Sequence, residues 1–100
     1  MDAAFSATRL VEEFNALIDA GDFSGAEELL LRALSLKPEL EPFFHFQFGR
    51  LYSRWNKLTS ALNHLTLAAQ LAQSRQDELF VIQVINELQD VKRKQAEQRP

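Results

Sequence analysis

Apolar residues recur along this chain at helical spacing. In residues 3–20, Leu10, Val11, Phe14, Leu17 and Ile18 fall three and four positions apart, which places them on one stripe of a first helix. Gly21 predicts its end, because glycine enters the left-handed region without a steric penalty. Asp22 is the expected N-cap of a second helix, with Glu27 and Glu28 in its early turns. That helix carries Ala26, Leu29, Leu30, Ala33 and Leu34 and must stop before Pro38. Pro42 suits the first turn of a third helix, where its missing N–H costs nothing. This helix spans EPFFHFQFGRLYSRW and closes at Asn56. A fourth runs from about Leu58 to Ala72 through Ala61, Leu62, Leu65, Ala68 and Leu71. A fifth begins near Asp77 and presents Val81, Val84, Ile85, Leu88 and Val91. Its polar ending, KRKQAEQRP, is expected to fray. The connections are short, so successive helices should be antiparallel neighbours.

The third helix holds more aromatics than one core stripe needs. Spaced at 100° per residue, Phe44, Phe48, Leu51, Tyr52 and Trp55 gather on one side, with His45 and Gly49 at its edge. Phe43, Phe46, Gln47, Arg50, Ser53 and Arg54 fall opposite. Two phenylalanines among two arginines do not make an ordinary solvated face. The competing expectation is that the first or fifth helix folds over Phe43 and Phe46 and buries them.

The chain also repeats itself. Gly21 aligns with Asn56, Ala26 with Ala61, Leu30 with Leu65 and Ala33 with Ala68, each at an offset of 35. Two copies of one helical hairpin predict a solenoid. These residues resemble the tetratricopeptide repeat, whose pattern of about 34 residues reads W-x2-L-G-x2-Y, then Ala, then an aromatic, then Pro. The second copy shows His45, Phe48, Gly49 and Tyr52 at that spacing, followed by Ala61 and Leu65. The first copy is weak in the front half, with Leu10, Glu13, Phe14 and Leu17, and good in the back half, with Gly21, Ala26, Leu30, Ala33 and Pro38. Gln73 stands where the second copy would carry proline. Gly49 and Ala61 are expected to let the helices of one hairpin approach closely.

The resemblance implies an all-α fold, a tetratricopeptide-like right-handed α-solenoid of about five antiparallel helices. Repeat one would cover residues 7–40, repeat two 42–75, and a capping helix 77–97. It also implies that the first helix of each pair lines a concave, partner-binding surface. The family's contact positions fall on Phe43, Phe46, Arg50, Ser53 and Arg54 in the second copy, and on Thr8, Val11, Asn15, Ile18 and Asp19 in the first. The expected partner-binding set is therefore Phe43, Phe46, Arg50, Ser53, Arg54, Val11, Asn15 and Ile18. Some members of the family clamp a C-terminal carboxylate with Lys and Asn. Asn15 matches that clamp, but Val11 and Arg50 replace two of its residues, so this activity is not expected. Arg50 and Arg54 remain suited to charge-assisted hydrogen bonds with acidic groups.

Composition narrows the function classes. With 100 residues the chain is one small domain, and its 46% hydrophobic and 25% charged residues are an ordinary globular mix. There is no cysteine, hence no disulfide or thiolate chemistry. No signal peptide and no membrane-spanning run are expected. Net charge is −3, split as nine acids and three bases in residues 1–41 against five acids and eight bases in 42–100. Phosphate-loop, nucleophile-elbow and zinc-protease motifs are missing, and His45 and His64 have no neighbouring metal-binding residue in sequence. Glu12/Glu13 and Glu27/Glu28 are adjacent pairs whose side chains diverge by about 100°. No enzyme activity, metal or cofactor is expected. Arg50, Arg54, Lys57, Arg75 and Lys92–Lys94 offer a basic set, but overall acidity argues against nucleic acid.

The resemblance thus implies a cytoplasmic adaptor or chaperone-like protein, and the expected activity is binding a peptide segment of a partner by apolar anchors and arginine contacts. The alternative is a homodimer formed through the same face or the last helix. That helix is apolar at 79, 80, 81, 82, 84, 85, 88 and 91, wider than one stripe requires.

Overall fold

The computed structural model describes residues 6–98. Those residues form five α-helices and one short 3-10 turn, and none of them is in a strand. Helix α1 spans Ala7–Asp19, α2 Phe23–Leu36, α3 Glu41–Arg54, α4 Leu58–Ser74 and α5 Glu78–Glu97. The 3-10 turn, Pro38–Leu40, joins α2 to α3. The readings of residues 3–5 as helix and of Arg99 and Pro100 as fraying tail lie outside the described residues.

Local chemistry explains the helix ends. Ser6 Oγ accepts from the Arg9 N–H at 3.2 Å and caps α1. Asp22 caps α2 by accepting from Gly25 N–H at 2.9 Å, and Asp77 caps α5 by accepting from Phe80 N–H at 3.2 Å. Pro42 sits in the first turn of α3.

Three helices end in the same turn. Gly21, Asn56 and Gln76 have φ of 76°, 60° and 60°. In each turn that residue donates to the carbonyl three positions back, and the next residue donates to the one five positions back. This is the Schellman arrangement, which satisfies carbonyls that a helix end would leave bare. The sequence marks it with Gly21 and Asn56; Gln76 carries no such signal.

Successive helices pack on one another, so α3 lies between two hairpins. The first core gathers Leu10, Phe14 and Ile18 of α1, Ala26, Leu30 and Ala33 of α2, and Phe44, Phe48 and Leu51 of α3. The second gathers Leu58, Ala61, Leu65 and Ala68 of α4 with Val84 and Val91 of α5. Tyr52 packs against both. The equivalent pairs Ala26/Ala61, Leu30/Leu65 and Ala33/Ala68 are all buried. α3 and α4 lie close together at Gly49: a methyl group added there would overlap the Leu65 side chain.

Most of the α3 aromatics form one ladder. Phe23 stacks on Trp55 with ring centres 5.7 Å apart, Trp55 on Tyr52 at 6.2 Å, and Tyr52 on Phe48 at 6.1 Å. His64 of α4 stacks on both Phe48 and Tyr52, and His45 closes the run at 5.2 Å from His64. These aromatics therefore tie α2, α3 and α4 together.

Candidate binding groove

Helices α1, α3 and α5 meet along one side of the protein, and their side chains enclose a cavity of about 340 Å³. α1 contributes Phe14 and Ile18, and α3 contributes Arg50, Ser53 and Arg54. α5 contributes Glu87, Asp90, Arg93 and Lys94. The lining holds four cations and two carboxylates.

Each basic side chain is held differently. Arg50 Nη1 donates to Gln47 Oε1 at 2.8 Å, and Nη2 donates to Asn15 Oδ1 at 3.2 Å. Its guanidinium carbon lies 5.7 Å from the centre of the Phe14 ring, a cation–π contact. Lys94 Nζ donates to Ser53 Oγ at 2.9 Å. Every one of these partners is neutral, and among the described residues neither Arg50 nor Lys94 has a carboxylate at ion-pair distance. Arg54 meets Asp19 at 4.0 Å, a largely solvated pair that contributes little. Arg93 is paired with Asp90.

The structure sorts the residues expected to bind a partner. It brings Arg50, Ser53, Arg54 and Ile18 to the cavity wall. Asn15 sits beside them through its bond to Arg50. Val11 is half-buried and not among the lining residues. Phe43 and Phe46 are elsewhere. Phe46 makes an edge-to-face contact with Phe80 of α5 at 5.4 Å, so the fifth helix does fold over it. Phe43 packs edge-on to Phe44 at 5.3 Å and lines a separate apolar cavity of about 290 Å³ with Leu40, Pro42 and Phe80. Gln47 and Ser53, placed by the helical wheel on the face opposite the core, are buried. The ending of α5 is helical within the described residues as far as Glu97, and Gln98 Nε2 donates back to Asn56 Oδ1 at 2.8 Å.

Phe14 and the four α5 residues were not foreseen as groove residues. Phe14 reads as core, and it is core; its ring also forms the groove floor. On α5 a signal does exist: Glu87, Asp90 and Lys94 interrupt the side that carries Val84 and Val91.

A second polar cluster sits at the α3–α4 contact. His45 Nδ1 and His64 Nδ1 are 3.0 Å apart, and Glu41 Oε1 is 3.2 Å from His45 Nε2. A carboxylate only accepts, so His45 carries its proton on Nε2 and accepts from His64 Nδ1–H. Burial, and then the proximity of His45, push the His64 pKa below its ordinary value. In sequence the two histidines are isolated, 19 residues apart, and the packing of α4 on α3 brings them together. Nearby, Tyr52 donates to Glu27 Oε2 at 2.6 Å. Burial, that hydrogen bond and the Glu27 charge push its pKa up to about 12.

No group of three or more metal-ligating side chains occurs among the described residues. No helix there is long and apolar enough to cross a membrane. No family model, no curated protein and no solved structure matches the chain.

Proposed function

We propose that this chain is a two-repeat helical solenoid of the tetratricopeptide kind, with α5 as its cap, and that it binds an acidic segment of a protein partner in the α1–α3–α5 groove. It works as a cytoplasmic adaptor or chaperone-like module and not as a catalyst. The carrying observation is that Arg50 and Lys94 face a cavity while held only by neutral acceptors. Arg50 is thereby oriented without being neutralised, and its guanidinium keeps N–H groups free for a carboxylate. The repeat supports the same reading: a turn and several small residues recur at an offset of 35, and Asn15 and Arg50, themselves 35 apart, are hydrogen-bonded.

Phe14 and Ile18 line the groove but are 1% and 9% exposed, so recognition there rests mainly on the basic side chains. A groove between three short helices offers a small interface, so affinity should be micromolar. The test is fluorescence anisotropy with labelled Asp/Glu-rich peptides. Wild type should bind at least one at micromolar concentration. Arg50→Glu with Lys94→Glu should weaken it by more than about tenfold, as expected when two charge-assisted contacts become repulsive. Leu79→Glu, near the start of α5 and not among the groove-lining residues, should leave it unchanged. Equal binding by wild type and the double variant would overturn the reading.

A further inference from the structure

The outward face of α5 is apolar in the middle and oppositely charged at its ends. Ile82 and Ile85 are 55% and 39% exposed, and Leu79 at the margin is 79% exposed. Val84 and Val91, about 100–120° around the helix from Ile85, are fully buried, so this apolar surface is additional to the helix's packing stripe. Glu78 precedes Ile85 by seven positions and Lys92 follows it by seven. Fourteen residues are close to four helical turns, so both lie on the Ile85 side. Both are exposed, and neither has an ion-pair partner among the described residues.

We propose that a second copy of this chain covers this face, with the two α5 helices antiparallel and a two-fold axis passing at Ile85. A two-fold interface must be complementary to itself. Here an acid and a base equidistant from one isoleucine meet that condition: Glu78 of each copy opposes Lys92 of the other, and Ile85 meets Ile85. Ile82 opposes the half-buried Leu88 of the second copy. The C-terminal half of each helix then lies against a hollow at the other's start, lined by Asp77, Glu78, Val81 and Ile82 among others. The contact covers one face of a helix about 30 Å long. That is at the lower end of specific interfaces, so the dimer is reversible, with a dissociation constant in the micromolar range or above. The α1–α3–α5 groove is on another side of α5, so it stays open in the dimer, and this proposal stands independently of what the groove binds.

Sedimentation equilibrium of the full chain from about 10 µM to 1 mM tests it, at low salt where exposed charges count most. Wild type should show a concentration-dependent monomer–dimer equilibrium. Ile85→Glu should be monomeric throughout with unchanged helicity. Glu78→Lys and Lys92→Glu should each weaken the dimer about fivefold or more, since each sets two like-charge pairs against one another. The combined swap, Glu78→Lys with Lys92→Glu, should restore the wild-type constant to within about twofold, because the pairing is re-formed in reverse. A wild type monomeric at 1 mM would overturn the proposal. So would a dimer indifferent to Ile85→Glu, one not rescued by the combined swap, or one abolished instead by Arg50→Glu in the groove.

Discussion

Asn15 of α1 and Arg50 of α3 are 35 residues apart in the chain and joined by a hydrogen bond, with Arg50 Nη2 donating to Asn15 Oδ1 at 3.2 Å. The same spacing relates Asp19 to Arg54, which also face each other across these helices. It is the spacing at which Gly21 aligns with Asn56 and Leu30 with Leu65. α1 and α3 therefore touch through side chains at matching positions of the sequence repeat. A double-mutant cycle with Asn15→Ala and Arg50→Ala should give a coupling of about 0.5–1 kcal/mol in urea unfolding, the range for a half-exposed hydrogen bond to a charged group. Strict additivity would mean that the bond does not form in solution.

Gly49 of α3 lies directly against Leu65 of α4. Gly49→Ala raises helix propensity by up to about 1 kcal/mol, yet it forces a methyl group into Leu65. Leu65 is fully buried and has no room to retreat, so overpacking should win and cost about 1–3 kcal/mol net. In a domain of this size that lowers the melting temperature by roughly 5–15 °C. Paired with Leu65→Ala, the same change should cost much less than the two losses added together. A stabilised Gly49→Ala single variant would refute the close approach.

The three Schellman turns differ in how well their residue suits a left-handed backbone. Gln76 has a side chain at φ 60°, which costs more than glycine would. Gln76→Gly should stabilise the fold by about 0.5–1 kcal/mol after allowing for glycine's greater freedom in the unfolded chain. Gly21→Ala, at φ 76°, should destabilise it by about 1 kcal/mol. Chemical denaturation of both variants gives the two signs directly.

Two groups set the pH range of stability. His64 has its pKa below the ordinary value because it is buried and faces His45, with Glu41 on the far side of that ring. The unfolded chain binds this proton near the usual pKa of about 6.5, so unfolding takes up a proton as pH falls below that point. Stability should be full above about pH 6.5 and decline on acidification, and His64→Gln should flatten that slope. Tyr52 behaves oppositely. Its pKa of about 12 exceeds the unfolded value of 10, so stability should fall as pH rises from 10 toward 12. Tyr52 is the sole tyrosine, and ultraviolet absorbance of the phenolate reads its titration without interference from another. A midpoint near 10 in the folded protein would show that Tyr52 is neither buried nor bonded to Glu27.

Much of the helix order could be read from punctuation. Gly21, Asp22, Pro38, Pro42, Asn56 and Asp77 act locally, and each acts in the structure as its chemistry dictates. The Gln76 turn could not be read, because nothing in glutamine favours positive φ; the packing of α4 on α5 imposes it. Arg50 and Arg54 could be placed because they fall off the core stripe of α3, where charged side chains ordinarily lie. The two phenylalanines beside them were misplaced for a physical reason. A helical wheel separates one core side from one free side, whereas α3 is flanked by neighbours on several sides, and Phe46 lies on the side that faces Phe80. The same crowding buries Gln47 and Ser53. The His45–His64 pair was illegible because it depends on the register of α4 against α3, which no local pattern encodes.

The central claim, that the α1–α3–α5 groove binds an acidic segment, is tested most directly by an NMR titration. An acidic peptide selected by anisotropy would be added to the isotope-labelled chain while backbone amide and arginine Nε–H resonances are followed. The account predicts shifts concentrated at Ile18, Arg50, Ser53, Arg54 and Lys94, with the Arg50 Nε–H among the largest and the outward face of α5 silent. Shifts centred on Leu79, Ile82 and Ile85, or spread evenly over every exposed base, would contradict it.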